Sequence, residues 1–326
     1  MEFASIGSIG LPVSRVGLGT WSISGWMWGG CDQATSIKTM RAALDTGINL
    51  IDTAPVYGFG LSEELVGQAL AEHGKRDQVV VATKTGMRWG PGGLRRDSSP
   101  GRLRAEVEDS LRRLRVEYID LYQVHWPDAT VPIETTAEAL AELKEAGKIR
   151  ALGVSNYSVE QMDRFRTVAP LDTIQPPFNL FEQDVGNTVI PHAQELGISV
   201  LAYGALCRGL LSGRMSVETT FAGDDLRRND PKFKSPAYAQ YLDAVSRLDA
   251  LAHQRFGKRV FHLALRWILD NGVEIALLGA RRPEQIQPIS DVMGWSIDAE
   301  TNQEIATIVE EAIESPCGSE FLAPPG

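Results

Sequence analysis

The chain has 326 residues, and its 32 basic and 42 acidic side chains give a formal net charge of 32 − 42 = −10. A composition of 43% hydrophobic and 23% charged residues excludes an intrinsically disordered or fibrous chain. The acidic balance argues against a nucleic-acid or anionic-membrane partner. No apolar run approaches the ~18 residues of a membrane span, and no two of Cys31, Cys207 and Cys317 form a Cys-x-x-Cys pair. We therefore expect a cytoplasmic protein with no metal site.

Short apolar runs alternate with helical patterns along the chain. Residues 1–14 precede the first run and predict a short hairpin. At Gly47, Gly147, Gly197 and Gly272 a glycine separates a helical segment from a β-branched run, which is typical of a helix end followed by a buried parallel strand. With four further runs, the pattern predicts eight strands, at residues 16–18, 48–51, 79–82, 118–122, 148–152, 171–174, 198–201 and 273–277.

Helical periods separate these strands. Apolar residues recur three or four positions apart, which is the spacing of one helix face. Asp32 is positioned to cap the first helix, and Ser62 begins the second. The apolar positions are Ile37, Met40 and Leu44; Leu65, Val66 and Ala69; Leu103, Val107, Leu111 and Leu114; and, after Thr136, Leu140 and Leu143.

Eight strand–helix units predict an α/β fold, a single (β/α)8 TIM barrel domain over residues 1–326. An open Rossmann sheet is the main alternative, but it requires Gly-x-Gly-x-x-Gly directly after a strand. The segments Gly17-Leu18-Gly19 and Gly58-Phe59-Gly60 both lack the third glycine. Residues 204–238 form a long polar loop after the seventh strand, and a loop of this length in a compact domain is typical of a lid or a binding loop.

Polar residues follow the apolar runs where the predicted strands end. The active site of a barrel lies at the C-terminal ends of its strands, so these residues are candidates for it. Each would be costly to bury without a partner. A polar residue at the end of one strand would mean little, but polar residues at the ends of seven converging strands argue for a site. They are Asp52, Lys84, His125, Ser155 with Asn156, Gln175, Tyr203, and Gly279 followed by Arg281 and Arg282.

Four side chains in this set suit proton transfer. Asp52, Lys84 and His125 come from adjacent strands, and Tyr57 lies in the loop after Asp52. An ammonium held by a carboxylate beside a phenol is expected to lower the phenol pKa towards neutrality, so Tyr57 could act as a general acid. A neutral His125 could donate a hydrogen bond to a carbonyl oxygen that gains negative charge. The set suits protonation of an oxyanion as hydride arrives at carbon, and hydride requires a nicotinamide donor.

Structural interpretations compete with this one. Asp52 and Lys84 could form a structural ion pair, and His125 and Tyr57 could be packing residues. An aldolase with Lys84 as a Schiff base is a further alternative, but a lysine kept protonated by Asp52 is a poor nucleophile. The remaining histidines lie in or at the ends of helical patterns and are interpreted as surface or packing residues: His73, His192, His253 and His262.

The ordered motifs of the chain resemble those of the aldo-keto reductase family over nearly its whole length. Each motif is weak evidence alone, but their order and spacing are specific together. They are 17–21 (GLGTW), 52–58 (DTAPVYG) with Ser62-Glu63, Thr83-Lys84, 120–128 (DLYQVHWPD), 153–157 (GVSNY), 175–179 (QPPFN), 209–213 (GLLSG) and 279–285 (GARRPEQ). The resemblance implies reduction of a small-molecule aldehyde or ketone with NADPH as the cofactor, on a (β/α)8 barrel.

The resemblance also implies roles for single residues. Tyr57 matches the proton donor, Lys84 and Asp52 the residues that tune it, and His125 the residue that orients the carbonyl. Other matches concern the cofactor: Ser155, Asn156 and Gln175 at the nicotinamide carboxamide; Tyr203 stacked on the nicotinamide ring; Gly204, Ala205, Leu206, Arg208 and Gly209 in the loop at the pyrophosphate; Arg281 and Gln285 near the 2′-phosphate; and Gly19, Thr20, Trp21, Asp52 and Gly279 at the strand ends. A guanidinium such as that of Arg281 makes forked, charge-assisted bonds to phosphate.

One position departs from the family pattern. Relatives commonly carry an asparagine that contacts adenine four residues after the Gln285 position, and here Ile289 follows Pro288. The resemblance still favours NADPH over NADH because Arg281 suits a 2′-phosphate.

Aromatic residues near the strand exits predict an apolar substrate pocket, with packing under loops as the alternative. The tryptophans concerned are Trp21, Trp26, Trp28, Trp89 and Trp126. A second functional hypothesis is a cofactor-binding regulatory protein similar to the β subunits of voltage-gated potassium channels, which share this fold and these motifs. Such a partner would need a docking surface and an additional N-terminal segment, which we do not expect here. The pattern leaves the oligomeric state open.

Overall fold

The computed structural model describes residues 1–319 and 322–324. Its strands are β1 (Phe3–Ala4), β2 (Val13–Ser14), β3 (Val16–Gly19), β4 (Leu50–Asp52), β5 (Val80–Thr85), β6 (Met87–Gly90), β7 (Gly93–Arg96), β8 (Ile119–Val124), β9 (Ile149–Ser155), β10 (Thr173–Gln175), β11 (Ser199–Ala202) and β12 (Ile275–Gly279). Its α-helices are α1 (Gln33–Asp45), α2 (Leu61–His73), α3 (Pro100–Leu114), α4 (Ile133–Glu145), α5 (Val159–Arg166), α6 (Val189–Glu195), α7 (Ala237–Phe256), α8 (Val260–Asp270) and α9 (Ala299–Ala312).

Eight parallel strands close into a barrel in the order β10-β11-β12-β3-β4-β5-β8-β9, which confirms the predicted (β/α)8 fold. The pairing register brings several strand exits to one level. Gly279 pairs with Gly19, which pairs with Asp52, and Gln175 pairs with Ser155. Polar side chains that are far apart in the sequence therefore meet at one end of the barrel.

A short hairpin covers the opposite end, as the sequence predicted for residues 1–14. β1 and β2 pair antiparallel, with Phe3 opposite Ser14. Ile6, Ile9 and Val13 are buried and pack in one cluster with residues that begin the barrel strands, including Leu50 and Val80. The hairpin thus closes the N-terminal end of the barrel with apolar side chains and leaves the C-terminal end for a site.

Capping residues and glycines in the sequence mark several helix ends. The Asp32 carboxylate accepts a hydrogen bond from the Thr35 backbone at 2.7 Å, which caps α1. The predicted start of α2 is one residue late, because Gly60 is its N-cap and the Ser62 hydroxyl instead bonds to the hydroxyls of Thr20 and Thr53. The four glycines that separate helices from strands have φ of 93°, 72°, 68° and 83°, as expected for left-handed helix ends.

The hairpin of β6 and β7 was not predicted. A Pro-Gly dipeptide joins its strands, with Trp89 opposite Leu94. Such a dipeptide marks a turn, but the alternation beside it, Met87 and Trp89 around Arg88, is too short to indicate a strand. The hairpin follows β5 directly and so lies beside the strand exits.

The loop after β11 is long, as expected, and contains short 3₁₀ turns at Cys207–Ser212, Leu226–Arg228 and Pro231–Phe233 before α7 begins. No helix within the described residues has the length and hydropathy of a membrane span.

Candidate active site

The carboxylate of Asp52 organises the floor of the barrel mouth. Its Oδ1 lies 2.5 Å from Nζ of Lys84, and its Oδ2 accepts hydrogen bonds from Nε2 of Gln123 at 3.1 Å and Nε2 of Gln175 at 2.9 Å. All four side chains are buried. The predicted contact between Asp52 and Lys84 is therefore present, within a network that leaves neither charge without a partner.

Sequence reasoning missed Gln123. Its amide also accepts a hydrogen bond from Gln175 at 3.1 Å, so it links the two sides of the Asp52 network. A signal was available: Gln123 lies two residues before His125, and residues two apart on a strand face the same side.

The Tyr57 hydroxyl lies 3.4 Å from Nζ of Lys84. An ammonium is a donor only, so the phenol oxygen accepts from Lys84 and the phenol proton is left for another acceptor. The indole of Trp21 stacks on the Tyr57 ring with a centroid distance of 5.9 Å and an interplanar angle of 19°. The loop after β4 thus folds back over the strand exits, as the sequence predicted.

The pKa of Tyr57 moves in the direction opposite to the sequence prediction. Enclosure of its hydroxyl raises the pKa well above the ordinary value, and the negative charge of Asp52 adds to the rise. The Lys84 ammonium donates to the phenol oxygen, but its positive charge does not outweigh the effects of burial and of the Asp52 charge on the resting phenol. The prediction of a pKa near neutrality is wrong for this structure, yet the phenol stays protonated at neutral pH, which is the state that a proton donor requires.

The imidazole of His125 stands edge-on to the Tyr57 ring at a centroid distance of 5.6 Å. Burial lowers the His125 pKa well below its ordinary value, and the nearby Lys84 charge lowers it further. At neutral pH the ring is therefore neutral, as the sequence argument required.

Three further predicted residues form a chain of hydrogen bonds beside this group. The Asn156 amide donates to the His125 carbonyl at 3.0 Å and accepts from the Tyr203 hydroxyl at 2.8 Å. The Ser155 hydroxyl donates to the Gln175 carbonyl at 2.7 Å. The network fixes the Asn156 backbone at a φ of 61°, which asparagine tolerates better than most residues.

A cleft of about 1170 Å³ connects these residues to the outer loops. It runs from an apolar end at Tyr57, His125 and Trp126 to a basic end at Arg281 and Arg282. All sixteen predicted cofactor positions line it: Gly19, Thr20, Trp21, Asp52, Ser155, Asn156, Gln175, Tyr203, Gly204, Ala205, Leu206, Arg208, Gly209, Gly279, Arg281 and Gln285. The sequence did not point to several other lining residues: Met87 and Leu94 of the β6–β7 hairpin, Arg214, Arg227 and Arg259.

Arg281 carries a positive charge at the basic end whose bonded partners are carbonyl oxygens. Its guanidinium donates to the carbonyl of Trp28 at 2.9 Å and to that of Gly30. Burial lowers the Arg281 pKa, and Arg227 lowers it further. A guanidinium in this setting favours an incoming anion. The Gln285 side chain accepts from the backbone N–H of Arg281 at 2.8 Å, which shapes the turn.

The Arg208 guanidinium is already paired with two acidic side chains, so it is not available for the phosphate contact expected from its match to the family. Its Nη2 lies 2.5 Å from Glu182, and its Nε lies 2.6 Å from Asp230. The side chain is buried, and its charge is balanced by these two carboxylates. The geometry therefore assigns the Arg208 side chain to holding the loop, in place of the predicted phosphate contact.

Two loops meet across the cleft. The Asp224 carboxylate accepts from the backbone N–H groups of Met27 at 2.8 Å and Gly29 at 3.0 Å, and the N–H of Leu226 donates to the Met27 carbonyl at 2.9 Å. The Arg227 guanidinium lies 5.0 Å from the Trp28 ring. We call residues 25–30 with 221–229 the strap. Residues from both of its loops, including Met27, Trp28, Leu226 and Arg227, line the cleft.

One sequence expectation about the tryptophans needs revision. Trp21, Trp28 and Trp126 line the cleft, but Trp89 is not among its lining residues. Ile289 is fully buried in the core, so its side chain does not reach the cleft, although Pro288 does. This placement agrees with the departure from the family pattern that the sequence shows at position 289.

A sequence model of the Aldo/keto reductase family matches residues 15–310. The chain belongs to the aldo/keto reductase family. Its membership makes it an oxidoreductase that acts on carbonyl compounds, which confirms the resemblance read from the motifs.

Named relatives agree with that assignment. The chain is 59% identical over 326 residues to the aldo-keto reductase YhdN of Bacillus subtilis (strain 168), covering 100% of this chain and 98% of the relative. It is 37% identical over 303 residues to an NADH-specific methylglyoxal reductase of Escherichia coli (strain K12), covering 88% and 92%. The structure of the glycerol dehydrogenase AKR11B4 from Gluconobacter oxydans matches with a TM-score of 0.89 and 54% identity, covering 98% of this chain and 99% of that one.

These relatives carry the names of enzymes, which favours the enzymatic hypothesis over the regulatory one. One is named for NADH, so family membership alone leaves the choice of cofactor open.

Proposed function

We propose that this aldo/keto reductase reduces aldehydes and ketones to alcohols with NADPH, with Tyr57 as the proton donor. The observation that carries the proposal is the contact between the Tyr57 hydroxyl and Nζ of Lys84 at 3.4 Å. Because the ammonium occupies a lone pair of the phenol oxygen, the phenol proton is directed to another acceptor, and a carbonyl oxygen in the apolar end of the cleft fits that role.

The other residues of the site support this chemistry. The Asp52 carboxylate holds Lys84 in place, so the ammonium stabilises negative charge that develops on the phenol oxygen after the proton leaves. Neutral His125 can donate a hydrogen bond to the same carbonyl oxygen. NADPH would supply hydride to the carbonyl carbon.

The cleft suits a dinucleotide. Three polar atoms in its wall, Trp21 Nε1, Ser22 Oγ and Trp28 Nε1, are buried without a hydrogen-bond partner, and buried polar groups are normally paired. Ser155, Asn156 and Gln175 would hold the nicotinamide carboxamide, and Arg281 with Arg282 would hold the 2′-phosphate. The proposal includes a small-molecule carbonyl substrate and a single barrel domain over residues 1–326.

A direct assay tests the proposal. Purified protein is mixed with NADPH and benzaldehyde, and the absorbance of the reduced cofactor is followed. We expect turnover with NADPH and a lower kcat/KM with NADH. No oxidation of either cofactor across a panel of aldehydes, ketones and sugars would contradict the proposal.

Arg281→Ala is expected to weaken NADPH binding about 10- to 100-fold and NADH binding much less. The reason is that charge-assisted hydrogen bonds contribute about 1.5–3 kcal/mol and only NADPH offers the 2′-phosphate. Fluorescence titration with each cofactor gives the two dissociation constants. Equal losses for both would remove the 2′-phosphate role.

Asp224→Ala is the matched control, and it carries its own prediction. Both variants loosen the strap, but this one removes no positive charge. We expect faster release of NADPH and NADH by a similar factor, about 3- to 10-fold, because two charge-assisted hydrogen bonds at an exposed site are lost. Stopped-flow release rates measure this, and unchanged rates would show that the strap does not retain the cofactor.

A further inference from the structure

Phe59 lies at the outer edge of the active-site loop in an unusual conformation. Its φ of 57° is in the left-handed region, which phenylalanine rarely adopts, and 48% of its surface is exposed. Hydrogen bonds on both sides hold this turn, from Phe59 N–H to Val56 at 3.2 Å and from Gly60 N–H to Pro55 at 2.7 Å. Strained residues persist where their surroundings fix them, and they concentrate at ligand-binding sites.

Two tryptophans flank the Phe59 ring. The Trp26 ring lies at a centroid distance of 5.1 Å and an interplanar angle of 54°, and the Trp89 ring at 5.8 Å and 48°. We call Trp26, Phe59 and Trp89 the aromatic platform. The Arg102 guanidinium lies 5.7 Å from the Trp89 ring, a cation–π contact that helps to fix the orientation of that ring.

The platform is continuous with the apolar end of the cleft. Trp26 belongs to both, because it also lines the cleft. Trp26, Trp89 and Tyr57 pack against one small cluster of buried residues, Ala54, Val56 and Met87. Ring contacts and shared packing therefore link the Tyr57 end of the cleft, through Trp26, to the half-exposed Phe59 ring.

We propose that the aromatic platform is a second substrate subsite, which binds the distal planar apolar group of a carbonyl compound whose reactive end lies at Tyr57. This inference rests on the proposed function. A planar apolar group is the occupant that the surface fits, since three tilted rings offer faces and edges for ring–ring contacts. Exposed apolar surface that continues a cleft is typical of a binding groove.

The test compares a short with a long aldehyde. Steady-state kcat/KM with NADPH is measured for benzaldehyde and biphenyl-4-carbaldehyde, in the wild type and in Phe59→Asn. Asparagine adopts the left-handed conformation readily, so the turn is retained. We expect the wild type to have a higher kcat/KM for the long aldehyde than for benzaldehyde. In the variant this ratio should fall about tenfold, equivalent to about 1.4 kcal/mol, because KM for the long aldehyde rises. The value for benzaldehyde should change by less than about twofold.

The chain supplies a matched control. Phe3 is 51% exposed and lies in the hairpin at the opposite end of the barrel, so Phe3→Asn should leave both substrates unchanged. Phe59→Leu, which keeps apolar area but no ring, should retain part of the preference.

Each outcome decides between the two proposals. If the wild type turns over neither aldehyde, the proposed function fails first. If it turns over both and Phe59→Asn keeps the same preference, the platform is not a substrate subsite. Sedimentation is measured in parallel: an oligomer that dissociates in Phe59→Asn, with the preference unchanged, would make the platform an interface between copies of this chain and overturn the inference.

Discussion

Tyr57→Phe is expected to lower kcat by about 10²- to 10⁴-fold, the contribution of a positioned general acid, while the dissociation constant for NADPH stays within about twofold. The phenylalanine ring keeps the stacking contact with Trp21, but no proton remains for the carbonyl oxygen. Single-turnover absorbance and fluorescence titration separate the two quantities. Full activity in this variant would remove Tyr57 from the assigned role.

Tyr203→Phe provides the comparison. It also removes one phenol hydroxyl near the strand exits, the one that donates to Asn156 at 2.8 Å. We expect weaker cofactor binding with kcat retained within a few-fold, since the ring itself remains. Equal losses of kcat in the two variants would show that the effect comes from disturbing the site and not from losing a proton donor.

Asp52→Asn is expected to lower the free energy of unfolding by about 3–5 kcal/mol, because it leaves the buried Lys84 ammonium without its counter-ion. Burial already lowers the Lys84 pKa, and Asp52 is the main group that opposes this. In the variant the folded-state pKa falls further below the unfolded value. Between these two pKa values the unfolded state binds more protons, so the loss of stability should shrink as the pH rises through that window towards 10. Urea denaturation at several pH values measures it.

Two further variants separate stability from activity. Asp52→Leu combined with Lys84→Met removes both charges, and we expect it to recover much of the lost stability while remaining inactive. Asp120→Asn removes another buried strand carboxylate, paired with Arg76 and Arg150, and should keep kcat. If Asp120→Asn were inactive, loss of a buried carboxylate anywhere in the barrel would be enough to abolish activity, and an activity loss in Asp52 variants would carry no information on the site.

The barrel and most of the site could be predicted because each strand, and the residue at its end, can be recognised from a short contiguous stretch of sequence. Asp52, Lys84, Ser155 and Gln175 each lie at or near the end of an apolar run, and parallel pairing brings such ends together. The hairpin of β6 and β7 escaped prediction because each strand has only four residues, so the alternation of Met87 and Trp89 with Arg88 is too short to indicate a strand. The contact between Trp26 and Phe59 escaped prediction because the two residues belong to loops after different strands.

Electrostatics was the least predictable part of the site. The sequence shows a lysine near a tyrosine, but the direction of the Tyr57 pKa depends on how far burial and Asp52 outweigh Lys84. Arg208 has the residue type and the position of a phosphate ligand, yet Glu182 and Asp230 approach it from distant parts of the chain and neutralise its charge.

The sequence by itself determined the eight-stranded barrel, the family and the residues at the strand exits, because these depend on periodicity and on motifs that are contiguous in the chain. Only the tertiary structure decided which arginines face the cleft, which tryptophans line it and where the strap closes over it. Those features depend on contacts between loops that follow different strands, such as Asp224 with Met27 and Gly29. Their geometry is set by how the barrel brings the loops together.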